Sequence, residues 1–431
     1  MNLITAPNHV ETLIIGGGIV GAGIFRDLAL HGHEVLLVDK NDFCAETSSK
    51  SSKMLHGGIR YLENFEFHLV YEALHEKNLW AHLTPHLCKE TPFLIPVFED
   101  SLRPLWMIRA GLLLYDLLSG FSSHHHQILG RKETQKILPG LKSHGLKGAG
   151  VYYDCIVDDT KLGLEVIYDG LLEPNAQALN HVELINLTTT PGSEIIQTTL
   201  RDNLTHTLKQ VSANQVVVAA GPFTDIFMNK ILGTSWPPCL LPNKGSHLWF
   251  KKEDLPIQAA LVIQDKKGRI IFVIPHNERI LVGTTEVLVS PPFENLTASP
   301  EEIQYLINLL QDYFPHGNFG KSTMLSSFAG VRPLVRDDNS SDLSKTAREH
   351  KLYFPMHNLC VIAGGKYTTF RKMAEDVASW AQHRENRPYL SGLTTNPLRQ
   401  PCTILPWQQN TFDKEILEHI VATERPRTLE D

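Results

Sequence analysis

The sequence predicts an α/β protein built on two sheets. One is largely parallel and is started, left and re-entered twice; the other, mixed or antiparallel, is inserted between those visits. Three observations predict this. A β-branched run near the N-terminus ends directly in a glycine-rich turn. Two later apolar runs, 215–221 and 359–365, also end in glycine, and short strand-like segments crowd 182–211 and 245–285.

Val10 to Ile15 is the first strand, followed by Gly16-Gly17-Gly18-Ile19-Val20-Gly21 and a helical pattern through Ile24 and Leu28 that closes at His31-Gly32. Glu34 to Asp39 completes a βαβ opening. Phe67–Leu83 and Lys161–Leu179 read as amphipathic helices. Hairpins are predicted between Val182 and Val211, broken at Pro191-Gly192 and Asp202-Asn203, before a buried strand over Gln215–Gly221. Strands follow at His247–Phe250, Ala259–Gln264, Arg269–Ile274 and Ile280–Gly283. Ser299-Pro300-Glu301-Glu302 opens a helix over Ile303–Phe314. A final strand, Leu359–Gly365, leads into a helix over Lys366–Gln382, and Asp413–Ala422 is a short helix candidate. The expected division is 1–85, 145–235 and 325–385 as a nucleotide-binding domain, 86–144 and 236–324 as a substrate-binding cap, and 386–431 as a short extension.

With 431 residues, 42% hydrophobic and 20% charged, the chain has the composition of an ordinary globular protein. A net charge of −7 argues against a nucleic-acid partner. Cys44, Cys88, Cys155, Cys239, Cys360 and Cys402 are scattered with no C-x-x-C, so reduced thiols in a cytoplasmic setting are expected. No signal peptide and no transmembrane run of about 18 apolar residues is apparent. The most apolar stretch, Trp106–Leu118, is interrupted by Arg109 and Asp116 and suits a helix buried along one face. Its Trp106 and Arg109 leave contact with a membrane surface open.

Gly16, Gly18 and Gly21 stand after a strand and open a helix, where the turn can hold a dinucleotide pyrophosphate at the helix N-terminus. Asp39, at the end of the second strand, is placed to accept from an adenosine ribose. Whether the dinucleotide carries nicotinamide or flavin is not settled by that motif. The Thr47-Ser48-Ser49-Lys50-Ser51-Ser52-Lys53 cluster could bond pyrophosphate and flavin edge atoms.

His56-Gly57-Gly58-Ile59-Arg60-Tyr61 combines a base that titrates near neutral pH, paired glycines for close approach to a flat ring, and an Arg60/Tyr61 clamp for a phosphate or carboxylate. Arg332, in Gly330-Val331-Arg332-Pro333-Leu334, is restricted by the following proline. Gly364-Gly365-Lys366-Tyr367-Thr368-Thr369 would present backbone amides and a lysine to a reduced flavin. His124-His125-His126 is read as a surface loop, with no metal site expected. Tyr152-Tyr153-Asp154 and Asp158-Asp159 are either an acid–base pair or an exposed turn before a helix.

Together with Lys244-Gly245-Ser246-His247 and Gly283-Thr284-Thr285, these motifs resemble FAD-dependent, quinone-linked glycerol-3-phosphate dehydrogenase from about residue 10 to residue 385. The resemblance implies a FAD-binding Rossmann-like domain of the glutathione-reductase/glycine-oxidase type with a second mixed or antiparallel-sheet substrate domain. It implies oxidation of glycerol 3-phosphate to dihydroxyacetone phosphate, with electrons passed to membrane quinone or to oxygen. It implies a protein peripheral on the inner face of the cytoplasmic membrane, and leaves a homodimer open.

Carried over by position, His56, Arg332 and Lys366 are the implied catalytic residues, and Arg60, Tyr61 and Arg348 the substrate-binding ones. Gly16, Gly18, Gly21, Asp39, Thr47, Ser48, Ser49, Ser52, Lys53, Gly57, Gly221, Gly365 and Thr368 would hold FAD. Phe223 stands where the family commonly has tryptophan, Glu286 where aspartate is usual, and fewer than fifty residues follow Arg384 where relatives continue further. Two alternatives share the fold: a flavin oxidase or dehydrogenase of a 2-hydroxy acid or amino acid, and a truncated non-catalytic flavin-binding protein.

Overall fold

The computed structural model describes residues 3–189, 194–232, 236–336 and 350–399. Strand β1 (His9–Ile15), helix α1 (Ile19–Leu30) and β2 (Val35–Val38) form the opening unit. After β3 (Met54–Leu55), a 3-10 turn over Ile59–Asn64 and α2 (Phe67–Leu83), the chain continues through β4 (Cys88–Phe98), α3 (Leu105–Leu118), β5 (Gln127–Gly130), α4 (Arg131–Ile137) and β6 (Leu146–Val157). Next come α5 (Asp159–Gly170), β7 (Ala176–Leu179), β8 (Val182–Thr189), β9 (Ile196–Asp202) and β10 (Leu208–Val218). Helix α6 (Thr224–Leu232) precedes β11 (Leu240–Lys251), β12 (Ala260–Gln264), β13 (Ile270–His276), β14 (Arg279–Gly283) and β15 (Val287–Leu288). The rest is α7 (Pro300–Tyr313), β16 (Ser326–Val335), β17 (His350–Met356), β18 (Leu359–Gly364) and α8 (Phe370–Arg384).

The first sheet runs β17-β18-β10-β1-β2-β7, parallel from β18 to β7, with β9 antiparallel to β10 and β8 antiparallel to β9. Such a sheet needs both faces covered. On one side α1 packs against α5 and α8, where Ile24, Phe25 and Leu28 meet Val166, Phe370 and Val377. Burying each such side chain contributes about 1.5–3 kcal/mol. The second sheet runs β15-β11-β14-β13-β12-β4-β6-β3, with β16 on β11 and β5 on β6. It is mixed, because β12 and β4 are parallel while the other pairs are antiparallel. Helix α7 lays Leu306 and Leu310 against Leu248, Phe250 and Val282. Its start is the predicted one: Glu302 N–H donates to Ser299 Oγ, and the Glu302 carboxylate accepts from Ser299 N–H.

Several expectations change. The predicted helix over Lys161–Leu179 stops at Gly170, beyond which Pro174 interrupts the pattern, and 176–179 is instead a strand paired with β2. The helix expected from Lys366 begins at Phe370, because Gly364 and Gly365 lie in the left-handed region (φ +84° and +85°). Residues 146–157 and 326–335, assigned by sequence to the nucleotide-binding domain, belong to the second sheet through long ladders with β4 and β11. Tyr152 and Asp154 are not on an exposed turn but buried in β6. Asp158 caps α5, while Asp159 is buried. His124-His125-His126 does lie in a loop, as expected, with His124 and His126 paired separately with Glu90 and Asp116. Pro191-Gly192, Arg348, Cys402 and the helix candidate 413–422 lie outside the described residues.

Candidate active site

Where β1 meets α1, Gly16 adopts φ +106° and a Cβ there would fall 2.4 Å from the Ala219 carbonyl oxygen. At Gly21 a Cβ would fall 1.8 Å from the Gly16 carbonyl oxygen, so the turn and the helix can approach only without side chains. The N-terminal amides are organised from outside the helix. Gly17 N–H donates to Asp39 Oδ2 at 2.7 Å, and Ile19 N–H donates to Ser48 Oγ at 2.9 Å. Asp39 also accepts from Asn41 N–H at 2.8 Å. Burial raises its carboxyl pKa, while these two bonds draw it back.

The turn sits in the middle of a cleft with two lobes. One lobe is lined by Gly16, Asp39, Asp42 and Glu46, the other by His56, Tyr61, His247, Arg332 and Lys366. Gly18, Thr47, Ser48, Ala219, Gly221 and Pro222 line both, which makes the cleft continuous. A Cβ at Gly221 would meet no atom within 4 Å, and one at Gly18 would meet only Ser48 Oγ. Both therefore offer bare backbone to whatever lies in the cleft. The long shape, the backbone cradle and the helix N-terminus fit a dinucleotide.

Both sheets contribute to the second lobe, His247 and Arg332 from one and Ile362 and Gly364 from the other. Arg332, on β16, is held by Asn243 Oδ1 (2.9 Å), the Thr285 carbonyl (3.3 Å) and Thr284 Oγ1 (2.9 Å), with Asn243 its register partner on β11. Lys366 Nζ lies 4.2 Å from the centre of the Tyr61 ring. His56 N–H donates to Thr368 Oγ1 at 3.1 Å, tying the histidine loop to the turn after β18. Lys50, Arg332 and Lys366 line this lobe, and no carboxylate does so among the described residues. An acidic protein has thus built a positive pocket, suited to an anion.

His247 is 2% exposed and stacks on Phe328 with ring centres 4.9 Å apart. Its Nε2 pairs with Ser52 Oγ at 2.9 Å, while Nδ1 is buried with no hydrogen-bond partner among the described residues. Burial pushes the imidazole pKa down to about 3, helped by Arg332 and Lys53, so the ring is neutral near pH 7.

The sequence-predicted residues divide. Gly16, Gly18, Asp39, Thr47, Ser48, Ser52, His56, Tyr61, Gly221, Arg332, Gly365, Lys366 and Thr368 line the cleft. Gly21 supports it from within α1. Lys53 is drawn away by Asp159 (2.6 Å), and the Ser49 hydroxyl donates to the Glu46 carbonyl. Gly57 faces the core, where a Cβ would fall 2.5 Å from both Leu74 and the Tyr115 hydroxyl. Arg60 stands 5.3 Å from the Tyr61 ring centre but opens into an adjoining groove, with Glu286 at 3.9 Å. Asn243 and Tyr115 were not singled out, and Asp154 was read only within a Tyr152-Tyr153-Asp154 acid–base pair or exposed turn. Only the pairing of strands and helices distant in sequence brings them there, and a local motif carries no trace of that.

The family described as FAD dependent oxidoreductase matches residues 11–371. The chain is 33% identical over 396 residues to the aerobic glycerol-3-phosphate dehydrogenase of Staphylococcus aureus, covering 90% of this chain and 70% of that one. It is 34% identical to the mitochondrial glycerol-3-phosphate dehydrogenase of Arabidopsis thaliana, covering 88% of this chain but spanning only 61% of the plant protein's length. The X-ray structure of the glycerol-3-phosphate dehydrogenase from Bacillus halodurans complexed with FAD superposes with a TM-score of 0.72 at 27% identity, covering 90% of this chain and 68% of that one.

Proposed function

The chain belongs to the glycerol-3-phosphate dehydrogenases of the FAD-dependent oxidoreductase family, and from that premise we propose that it oxidises sn-glycerol 3-phosphate to dihydroxyacetone phosphate. The observation that carries the proposal is the second lobe, where Arg332 and Lys366 share the lining with a candidate base, His56, and no carboxylate joins them among the described residues. A net positive lining of this kind favours an anionic substrate such as a phosphomonoester over a neutral alcohol.

The Gly16–Gly21 turn, Asp39, Ser48, Ser52, Gly221, Gly365 and Thr368 would hold FAD in this cleft. When bound, FAD supplies the hydride acceptor for C2 of the substrate. His56 takes the proton of the C2 hydroxyl. Arg332, held by Asn243, Thr284 and the Thr285 carbonyl, stabilises negative charge developing on that oxygen, and a donor so placed contributes about 3 kcal/mol, two orders of magnitude in rate. Lys366 adds positive charge beside the cofactor end. Tyr61 bounds the substrate, with Arg60 adding positive charge from behind its ring.

Electrons then pass to an acceptor, for which membrane quinone suits an exposed apolar face. Helix α3 buries Ile108, Leu112 and Tyr115 but presents Trp106 (73% exposed), Met107, Leu113 and Leu117 outward, and Phe65 (77% exposed) ends the turn packed beside it. No described helix is long and apolar enough to cross a membrane, so contact through this face would be peripheral. Trp106→Ser with Leu113→Ser should abolish co-sedimentation with anionic vesicles, and unchanged sedimentation would reject this face.

Dye-linked turnover tests the substrate. Glycerol 3-phosphate should be oxidised and glycerol, 2-hydroxy acids and amino acids should not. Faster turnover of a hydroxy acid or amino acid would overturn the proposal.

A further inference from the structure

We propose that Tyr115 and Asp154 are positioning residues for His56, fixing the peptide of the His56–Gly57 pair from behind the cleft. This rests on the reading of His56 as the base. Gly57 N–H donates to the Tyr115 hydroxyl at 2.9 Å and to Asp154 Oδ1 at 3.3 Å, and the Tyr115 hydroxyl donates to the same Oδ1 at 2.8 Å. Lys77 Nζ lies 3.7 Å from that oxygen and donates to the Tyr153 carbonyl (3.0 Å) and Ser123 Oγ (3.1 Å). The three side chains come from α3, β6 and α2, and all are buried.

A buried ion pair is a costly way to fill a core, since apolar side chains of the same volume usually stabilise as well or better. What apolar side chains cannot do is accept the Gly57 N–H. Neighbouring amides are thus held by separate parts of the fold: His56 N–H by Thr368 and Gly57 N–H by the buried network. The lack of a side chain at Gly57 is what lets Tyr115 and Leu74 close on the backbone.

Burial raises the Asp154 carboxyl to about 6, against the pull of Lys77, the Tyr115 hydroxyl and Gly57 N–H, so it is an acceptor at neutral pH. The titratable groups facing it are Lys77 from α2, Tyr115 from α3 and Tyr152 and Cys155 from its own strand. Satisfied polar networks of this kind hold geometry rigidly, and a base displaced by about 1 Å can lose about a hundredfold in rate.

The test is a double-mutant cycle on the purified flavin-loaded enzyme with glycerol 3-phosphate. Tyr115→Phe should lower kcat about tenfold while KM stays within about twofold, and in a His56→Ala background it should change kcat less than about twofold. The same loss in both backgrounds, a loss confined to KM, or wild-type kcat in Tyr115→Phe would overturn the positioning role. If Tyr115→Phe does not fold, the Lys77→Met background avoids a stranded charge. There Asp154→Asn, which keeps an acceptor oxygen, should exceed Asp154→Leu in kcat about tenfold, and equal rates would overturn the proposal. If wild-type enzyme ignores glycerol 3-phosphate, or His56→Ala is fully active, the reading of His56 fails first and the positioning role falls with it.

Discussion

The Lys366 ammonium lies 4.2 Å from the centre of the Tyr61 ring, so the turn after β18 and the turn after β3 meet in one cation–aromatic contact. Such contacts contribute about 0.5–2 kcal/mol, more as water is excluded. Lys366→Met should lower kcat/KM for glycerol 3-phosphate about a hundredfold. Tyr61→Phe should place Lys366 better than Tyr61→Leu, which removes the ring. Steady-state kinetics of the three variants checks both points.

Arg332 is gripped by Asn243, Thr284 and the Thr285 carbonyl, a set of acceptors matched to a planar fork. Lysine cannot reproduce that fork. Arg332→Lys should therefore recover little of the roughly hundredfold loss in kcat expected for Arg332→Ala. Full recovery by lysine would mean that charge alone matters there.

Gly21 closes on the Gly16 carbonyl with no space for a Cβ. Gly21→Val should yield protein that loses the yellow flavin band on gel filtration, because the turn is displaced from the helix N-terminus. Wild-type flavin content would place the cofactor elsewhere.

His247 gives a pH dependence. Its folded pKa, about 3, lies below the ordinary imidazole value of about 6.5, so below pH 6.5 the unfolded chain binds a proton that the folded state refuses. Stability from this group is present above pH 6.5 and is lost as the pH falls toward 3, by about 1.4 kcal/mol per pH unit. His247→Gln, which cannot charge, should reduce the acid-side loss between about pH 7 and about pH 4.5 by roughly 3 kcal/mol in urea titrations. An unchanged slope would contradict a buried neutral imidazole.

Features whose cause is local were legible in the sequence. The β1–α1–β2 unit follows from periodicity plus Gly16 and Gly21, and α7 from a serine cap reciprocated by Glu302. Strand β4 escaped notice because Pro92 and Pro96 sit inside it, and proline normally argues against a paired strand. Strand β10 looked like two segments because its first half pairs antiparallel with β9 and its second parallel with β1 and β18. In the site, His56, Arg332 and Lys366 were visible as motifs. The Asn243 clamp and the Tyr115–Asp154 network were not, since each depends on a pairing between strands or helices far apart in sequence. Arg60 was expected inside the pocket, but Tyr61 and Glu286 hold it in the adjoining groove.

The most direct measurement is the anaerobic visible spectrum of the purified flavin-loaded chain, before and after adding glycerol 3-phosphate. The account predicts prompt bleaching of the flavin band by glycerol 3-phosphate and none by glycerol. A spectrum that does not change with glycerol 3-phosphate, or that bleaches equally with glycerol, would contradict it.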